Sequence, residues 1–429
     1  MSKKNKAINQ IPLWKQIFLY QNHFINELEC INEMVQIVLP VLKTKDNERE
    51  KKLEELTEKI QEEDGEIVEA IKEVDIKEFL KNIKRLRHAE TMFRQSIITS
   101  IVTKFDELVT SILKIAYEKN TNWLKNPEKK ISYKDLLEIQ SLDSLKNDII
   151  EKEIDEIMRD SHFKQISFLD SKLKLGIEEH FKGWLEFLEI TERRNIFVHT
   201  GGKVSSIYIE NCKKWGIKIN EDCKEGSYLN ASDKYITETF DCFFELSIRL
   251  CQAFIRRTFP ESFNESDEIL NSIGYDLLCE ERFQLADKIF DYALSIPSSL
   301  ASGGEVKYYF LLNKCIALKN TGKDFSTILN SIDWSPFHPK FQFAVSILND
   351  QFEKSKELME QEAVYKEIDE LSFIEWPLLK SFRKTDLFKD VFKKIYKKDF
   401  SDAIIEEVKY EITEQEKNDN DTKDECNNV

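Results

Sequence analysis

The chain has 429 residues, enough to bury a sizeable core and long enough for two or three structural units. Only 11 Gly and 8 Pro stand against 33% charged residues, which excludes a turn-rich β composition and predicts an all-α fold. A formal net charge of -16 excludes indiscriminate binding of nucleic acid, because nonspecific affinity comes chiefly from Lys and Arg replacing counterions on phosphates. Any contact with RNA is therefore expected to be local.

No apolar run approaches the roughly 20 residues that span a bilayer, and the start MSKKNKAINQ lacks the apolar stretch of a signal peptide. A soluble, cytoplasmic protein with no membrane partner is expected. The cysteines at 30, 212, 223, 242, 251, 279, 315 and 426 are scattered, with no C-x-x-C pair and no His at zinc spacing. They read as reduced, mostly structural thiols. Cys212 and Cys223 would at most be half of a metal site, and neither a metal nor a cofactor is expected.

From Ile11 to about Arg87 the pattern predicts two or three long helices, with Trp14, Ile17, Phe18, Phe24, Ile25 and Leu28 near helical spacing. Asp46 to Gly65 is dense in charge, and its narrow seam of Leu53, Leu56 and Ile60 reads as a projecting hairpin or a short coiled-coil contact. Residues 1–89 are taken as this N-terminal helical region. A central bundle is expected over 90–262. It opens with the stripe Phe93, Ile97, Ile98, Ile101, Val102, Phe105, Leu108, Val109, Ile112 and Leu113, a strongly amphipathic helix. Ser132 to Leu136 offers a helix start and Asp143 to Arg159 a charged helix. Phe181 to His199 is thickly apolar, and Gly201-Gly202 directly after it suits a left-handed C-terminal cap. Val204 to Tyr208 and Ile217 to Ile219 read as short extended pieces before a last helix, Ser232 to Phe259, stopped by Pro260.

After Pro260 the texture changes. Leu270, Ile273, Gly274, Leu277, Ala286, Phe290 and Ala293 are similar in spacing to a tetratricopeptide repeat, with small residues where two helices must approach closely. A second copy fits at Leu311, Cys315 and Leu318, while Thr327 stands where the repeat wants Ala. Further helices are expected around Phe341 to Met359 and Trp376 to Tyr396. Residues 263–400 are accordingly read as a short, degenerate helical-repeat module. In 401–429 the end of a last helix is expected, then a polar, acidic tail that is disordered from Thr413.

The candidate chemistry lies at the end of the helix over Phe181 to His199. On a 3.6-residue helix Glu192, Asn195 and His199 share a face at spacings of three and four, so carboxylate, amide and imidazole can meet. Arg194 lies about 140 degrees round from His199, yet its long fork reaches back toward a shared anion. The last turn of a helix favours an imidazolium, which suits His199 to proton transfer near neutral pH. Taken alone, the same residues also admit an ordinary reading, with His199 as a C-terminal cap and Glu192, Arg193 and Arg194 in surface ion pairs. Around them, Thr191 to Lys224 carries seven basic against four acidic side chains, a local reversal of the overall charge. No phosphate-binding Gly-rich loop, H-E-x-x-H or G-x-S-x-G motif competes for the assignment.

The string Arg194-Asn195-Ile196-Phe197-Val198-His199 resembles the R-polar-x-x-x-H motif of HEPN domains, helical bundles that often cleave RNA without a metal. The likeness extends over roughly Glu90 to Pro260, most of all Glu189 to Ile209, and is to bacterial HEPN proteins that are uncharacterised or defence-associated. It implies a metal-independent endoribonuclease, a toxin or antiphage (abortive-infection) effector, active as a homodimer in which both Arg and His pairs line one cleft. By the same resemblance His199 assists attack of a ribose 2′-hydroxyl or protonates the leaving oxygen, Arg194 stabilises charge on the phosphate, and Asn195 orients the histidine or touches phosphate. Glu192 is added on helical geometry, and Arg193 and Lys203 are expected to contact the RNA substrate. The C-terminal repeats would dock a regulatory protein or sense a trigger. The rival expectation is a non-catalytic HEPN and tetratricopeptide-like scaffold in a defence complex.

Overall fold

Between Glu73 and Lys119 there is neither Gly nor Pro, and the chain there forms one unbroken helix in the computed structural model, which describes residues 11–62, 73–124, 141–220 and 222–405. This helix, α2 (Glu73–Lys119), pairs antiparallel with α1 (Leu13–Glu62), as shown by ion pairs of Lys104 with Glu27 at 3.1 Å and of Arg87 with Glu50 and Asp46. The boundary expected at residue 90 therefore falls inside a helix. Nothing in the local sequence breaks the hydrogen-bond ladder there, and α1 and α2 belong with the central bundle in one compact unit, Met1–Ser262. The side chains of Leu56 and Ile60, and the segments 132–136 and 413–429, lie outside what is described.

The core of this unit is built from the stripe of α2, where Ile98, Ile101, Val102, Phe105 and Val109 are fully buried. Phe105 is its hub. Its ring meets Phe24 of α1 at 5.9 Å and Phe187 and Phe243 at 5.7 and 5.1 Å, in edge-on geometries that suit aromatic quadrupoles. Those partners lie on α5 (Trp184–Thr200) and α7 (Asp233–Thr258), so one ring ties four helices together. Between α2 and α5 run α3 (Leu142–Met158), capped by the Ser141 side chain, and α4 (His162–Leu173). Asp233, in the first turn of α7, pairs with Lys43 of α1 and at 2.7 Å with Arg94 of α2, and the hydrogen bonds from Lys43 and Arg94 hold its carboxyl below the usual range.

The extended piece expected at Val204 to Tyr208 is instead the start of a helix, α6 (Ser206–Lys214). Ser205 caps it by accepting from the Tyr208 amide, and a satisfied N-cap outweighs the β-branched residues that suggested a strand. Among the described residues only an isolated antiparallel bridge, Lys203 with Tyr228, has β pairing. No helix among them is long and apolar enough to cross a membrane.

The second unit, Phe263–Val429, begins with the hairpin of α8 (Phe263–Cys279) and α9 (Phe283–Ser295). The close approach is at Gly274, where an added Cβ would stand 2.4 Å from Phe290 Cζ. Gly274→Ala is expected to cost about 1–3 kcal/mol by overpacking, read as a lower urea midpoint at unchanged slope. Next comes α10 (Val306–Asn320), whose buried Lys314 bridges Asp287 and Asp291 of α9 at 2.7 and 2.9 Å. Its expected partner helix shrinks to the single turn Ser326–Leu329, because Trp334, Phe337 and Phe341 with Tyr308 occupy the space in an aromatic cluster. The helix expected around Phe341 to Met359 is two, α11 (Pro339–Leu348) and α12 (Phe352–Met359), broken where Asp350 takes a left-handed φ of 55°. Likewise Trp376 to Tyr396 resolves into two short 3-10 turns and then α13 (Asp386–Tyr396).

Candidate active site

The end of α5 is fixed by its two glycines. Gly201 (φ 62°) and Gly202 (φ 90°) both adopt left-handed backbone, and the Gly202 amide donates to Ile196 O at 3.0 Å. A Cβ on Gly202 would meet Gln95 Nε2 at 2.7 Å and Leu229 O at 3.0 Å, so the position accepts only glycine. Leu229 N donates to Gly202 O at 2.9 Å and Thr200 Oγ1 to Lys203 O at 2.6 Å, which anchors the turn that follows the helix. The last turn, Val198-His199-Thr200, is thereby held at the surface with its side chains exposed.

Four consecutive polar residues on α5 go to different neighbours. Glu192 is 7% exposed, and its Oε2 accepts from Asn211 Nδ2 of α6 at 2.9 Å. It ties two helices together and is turned into the fold, in contrast to the expected place beside His199. Arg193 is committed as well. Its Nε and Nη2 reach Glu189 Oε1 at 2.8 and 2.7 Å, its Nη1 donates to Asn230 O at 3.2 Å, and its guanidinium lies 3.9 Å from the Tyr235 ring centroid. Glu189 also accepts from the hydroxyls of Tyr208 and Tyr235, at 2.7 and 2.8 Å. Burial, reinforced by Glu189, pushes both phenols well up, so they remain donors. Arg193 therefore belongs to a four-membered internal network with Glu189, Tyr208 and Tyr235. A cavity of about 480 Å³ adjoins it, lined among others by Leu185, Tyr208, Lys218 and Cys223.

Arg194 and Asn195 are brought together, with Arg194 Nη1 donating to Asn195 Oδ1 at 3.3 Å. Arg194 Nη2 stands 4.0 Å from Asp106 Oδ2 of α2, and its Nε is buried without a hydrogen-bond partner. Asp106 Oδ1 in turn lies 3.0 Å from His162 Nε2 at the start of α4. His199 has no hydrogen-bond or ion-pair partner among the described residues and is exposed, one helical turn beyond Asn195. Lys203 is exposed just past the turn, opposite Tyr228.

Asp106 and His162 are site neighbours that sequence reasoning missed. The one available signal was weak, namely a carboxylate beside the buried Phe105 in an apolar stripe. His162 sits 56 residues further on, and no spacing rule links it to Asp106. Among the described residues no group of three or more His, Cys, Asp and Glu could hold a metal. Cys212 is buried and its thiol is pushed up to about 11, first by burial and then by Glu189, which makes it a poor ligand. Comparison of the chain with models of known families, with curated proteins and with solved structures finds no match.

Proposed function

We propose that residues 90–262 form a HEPN-type, metal-independent endoribonuclease in which the RNA's own 2′-hydroxyl attacks the adjacent phosphate. His199 serves as general acid or base, Arg194 steadies the charge developing on the phosphate, and Asn195 holds the guanidinium. The observation that carries this reading is the arrangement at the end of α5. An unpartnered, exposed His199 stands one turn from the Arg194–Asn195 pair, on a terminus locked by Gly201 and Gly202. Lys203, also exposed, suits a phosphate contact outside the centre. In the reaction, the 2′-oxygen forms a bond to phosphorus as the bond to the 5′-oxygen breaks. One proton leaves the 2′-hydroxyl and one reaches the 5′-oxygen, so the fragments carry a 2′,3′-cyclic phosphate and a 5′-hydroxyl. A homodimer with two such pairs along one cleft, and a toxin or antiphage role triggered through the C-terminal unit, follow from the resemblance alone.

The second reading, a non-catalytic scaffold, is favoured by Asp106, whose carboxylate partly offsets the charge of Arg194, and by the formal charge of -16. Product analysis separates the two. Cleavage of single-stranded RNA is expected to persist in excess chelator, to fail on DNA and 2′-O-methyl RNA, and to leave 2′,3′-cyclic phosphate ends. A requirement for Mg²⁺ with 3′-hydroxyl products would overturn the mechanism, and absence of any cleavage would favour the scaffold.

A further inference from the structure

The geometry points to Asp106 and His162 as positioning residues for Arg194, an assignment that rests on the endoribonuclease reading. Three helices converge here. Asp106 comes from α2, His162 from the first turn of α4 and Arg194 from α5. A carboxylate only accepts, so the 3.0 Å contact requires the proton on His162 Nε2 and fixes the tautomer. The imidazole is itself braced. Its side chain is 9% exposed, and its ring stands edge-on to Phe187 at 6.3 Å and 87°. Phe187 lies two turns before Arg194 on the same helix. His162 thus holds Oδ1 of Asp106 against the scaffold that carries Arg194, which leaves Oδ2 facing the guanidinium.

At 4.0 Å that second oxygen is beyond hydrogen-bond length. Asp106 attracts and aims Arg194 without occupying it. Asn195 takes one N–H of Nη1, so the fork is held from two sides, with N–H groups on both terminal nitrogens remaining for a phosphodiester oxygen. The arrangement resists rotation of a long side chain whose freedom would otherwise be lost only on binding RNA. Asp106 and His162 touch neither substrate nor reacting atoms and act through Arg194.

The full-length protein tests this with Asp106→Asn, which keeps the shape, and with His162→Ala and His162→Gln, the last retaining a donor for Asp106. The first readout is the Arg194 Nε–Hε resonance, assigned by its loss in Arg194→Lys and recorded without RNA. It is expected to shift and broaden in Asp106→Asn and His162→Ala and to recover toward wild type in His162→Gln. The second is steady-state RNA cleavage, in which kcat is expected to fall about 100-fold in Asp106→Asn and His162→Ala while KM changes little, since misorientation acts on the transition state. An unchanged resonance, or an unchanged kcat in an active protein, overturns the assignment. If the wild-type protein cleaves no RNA, the enzyme reading falls, and the resonance alone decides whether Asp106 and His162 orient Arg194.

Discussion

His199→Ala is expected to lower RNA cleavage by about 10²–10⁴-fold, the range for removing a general acid or base, and Arg194→Ala by about 10²–10³-fold, the range for one charge-stabilising donor. The two losses should combine to less than their product, since both residues serve one phosphate. Stability should barely respond at His199, which is exposed and makes no hydrogen bond among the described residues, so a change within about 0.5 kcal/mol is expected. Arg194→Ala also removes a partner from Asn195 and a distant one from Asp106, but no buried carboxylate is left alone, because Asp106 keeps His162. Purified variants compared in cleavage assays and in urea denaturation supply both numbers. Wild-type cleavage rates in both variants would remove the assignment of this helix end as the centre.

Glu189 carries the largest stability effect in the same region. Its carboxylate takes hydrogen bonds from Arg193, Tyr208 and Tyr235, with its side chain only 13% exposed and that of Arg193 16%. Glu189→Ala leaves a buried guanidinium without its counter-charge and two buried hydroxyls without an acceptor. A loss of about 3–5 kcal/mol is expected, as for breaking a buried ion pair from one side. Glu189→Gln keeps an acceptor for at least one hydroxyl and should lose less. Arg193→Ala should also lose less than Glu189→Ala, since Glu189 retains both tyrosines. Denaturant midpoints order these three variants, and the near-ultraviolet circular dichroism of Tyr208, Tyr235 and Trp215 reports loosening around α6. If Arg193→Ala cost nothing in stability while cleavage collapsed, Arg193 would be a substrate contact and not a strut.

Much of the fold was legible because it depends on local signals. Scarcity of Gly and Pro dictated helices, and the repeat of apolar residues from Phe93 to Leu113 marked the buried face of α2. Ser232 before Asp233 and Gly201-Gly202 after Thr200 marked helix ends, since capping is decided within a few residues. The continuity of α2 was not legible. Helices were expected up to about Arg87 and again from Glu90, and it is the absence of any break between them, with α1 packed alongside, that makes them one helix.

The site divides in the same way. Spacing alone placed Asn195 and His199 on one face, with Arg194 beside Asn195, since residues on one helix keep fixed relations whatever surrounds them. Periodicity states which residues share a face but not what covers that face. Glu192 and Asn195 are three apart, yet Glu192 is drawn under α6 to Asn211, while Asn195 receives Arg194. The adjacent arginines part company for the same reason. Arg193 meets the carboxylate of Glu189 and the ring of Tyr235, whereas Arg194 meets Asp106 and, through it, His162. Glu189 lies one turn back on the same helix, but Tyr235, Asp106 and His162 come from helices distant in the chain. The packing of those helices around Phe105 and Phe187 brings the side chains within a few ångströms, which no spacing along the chain could state.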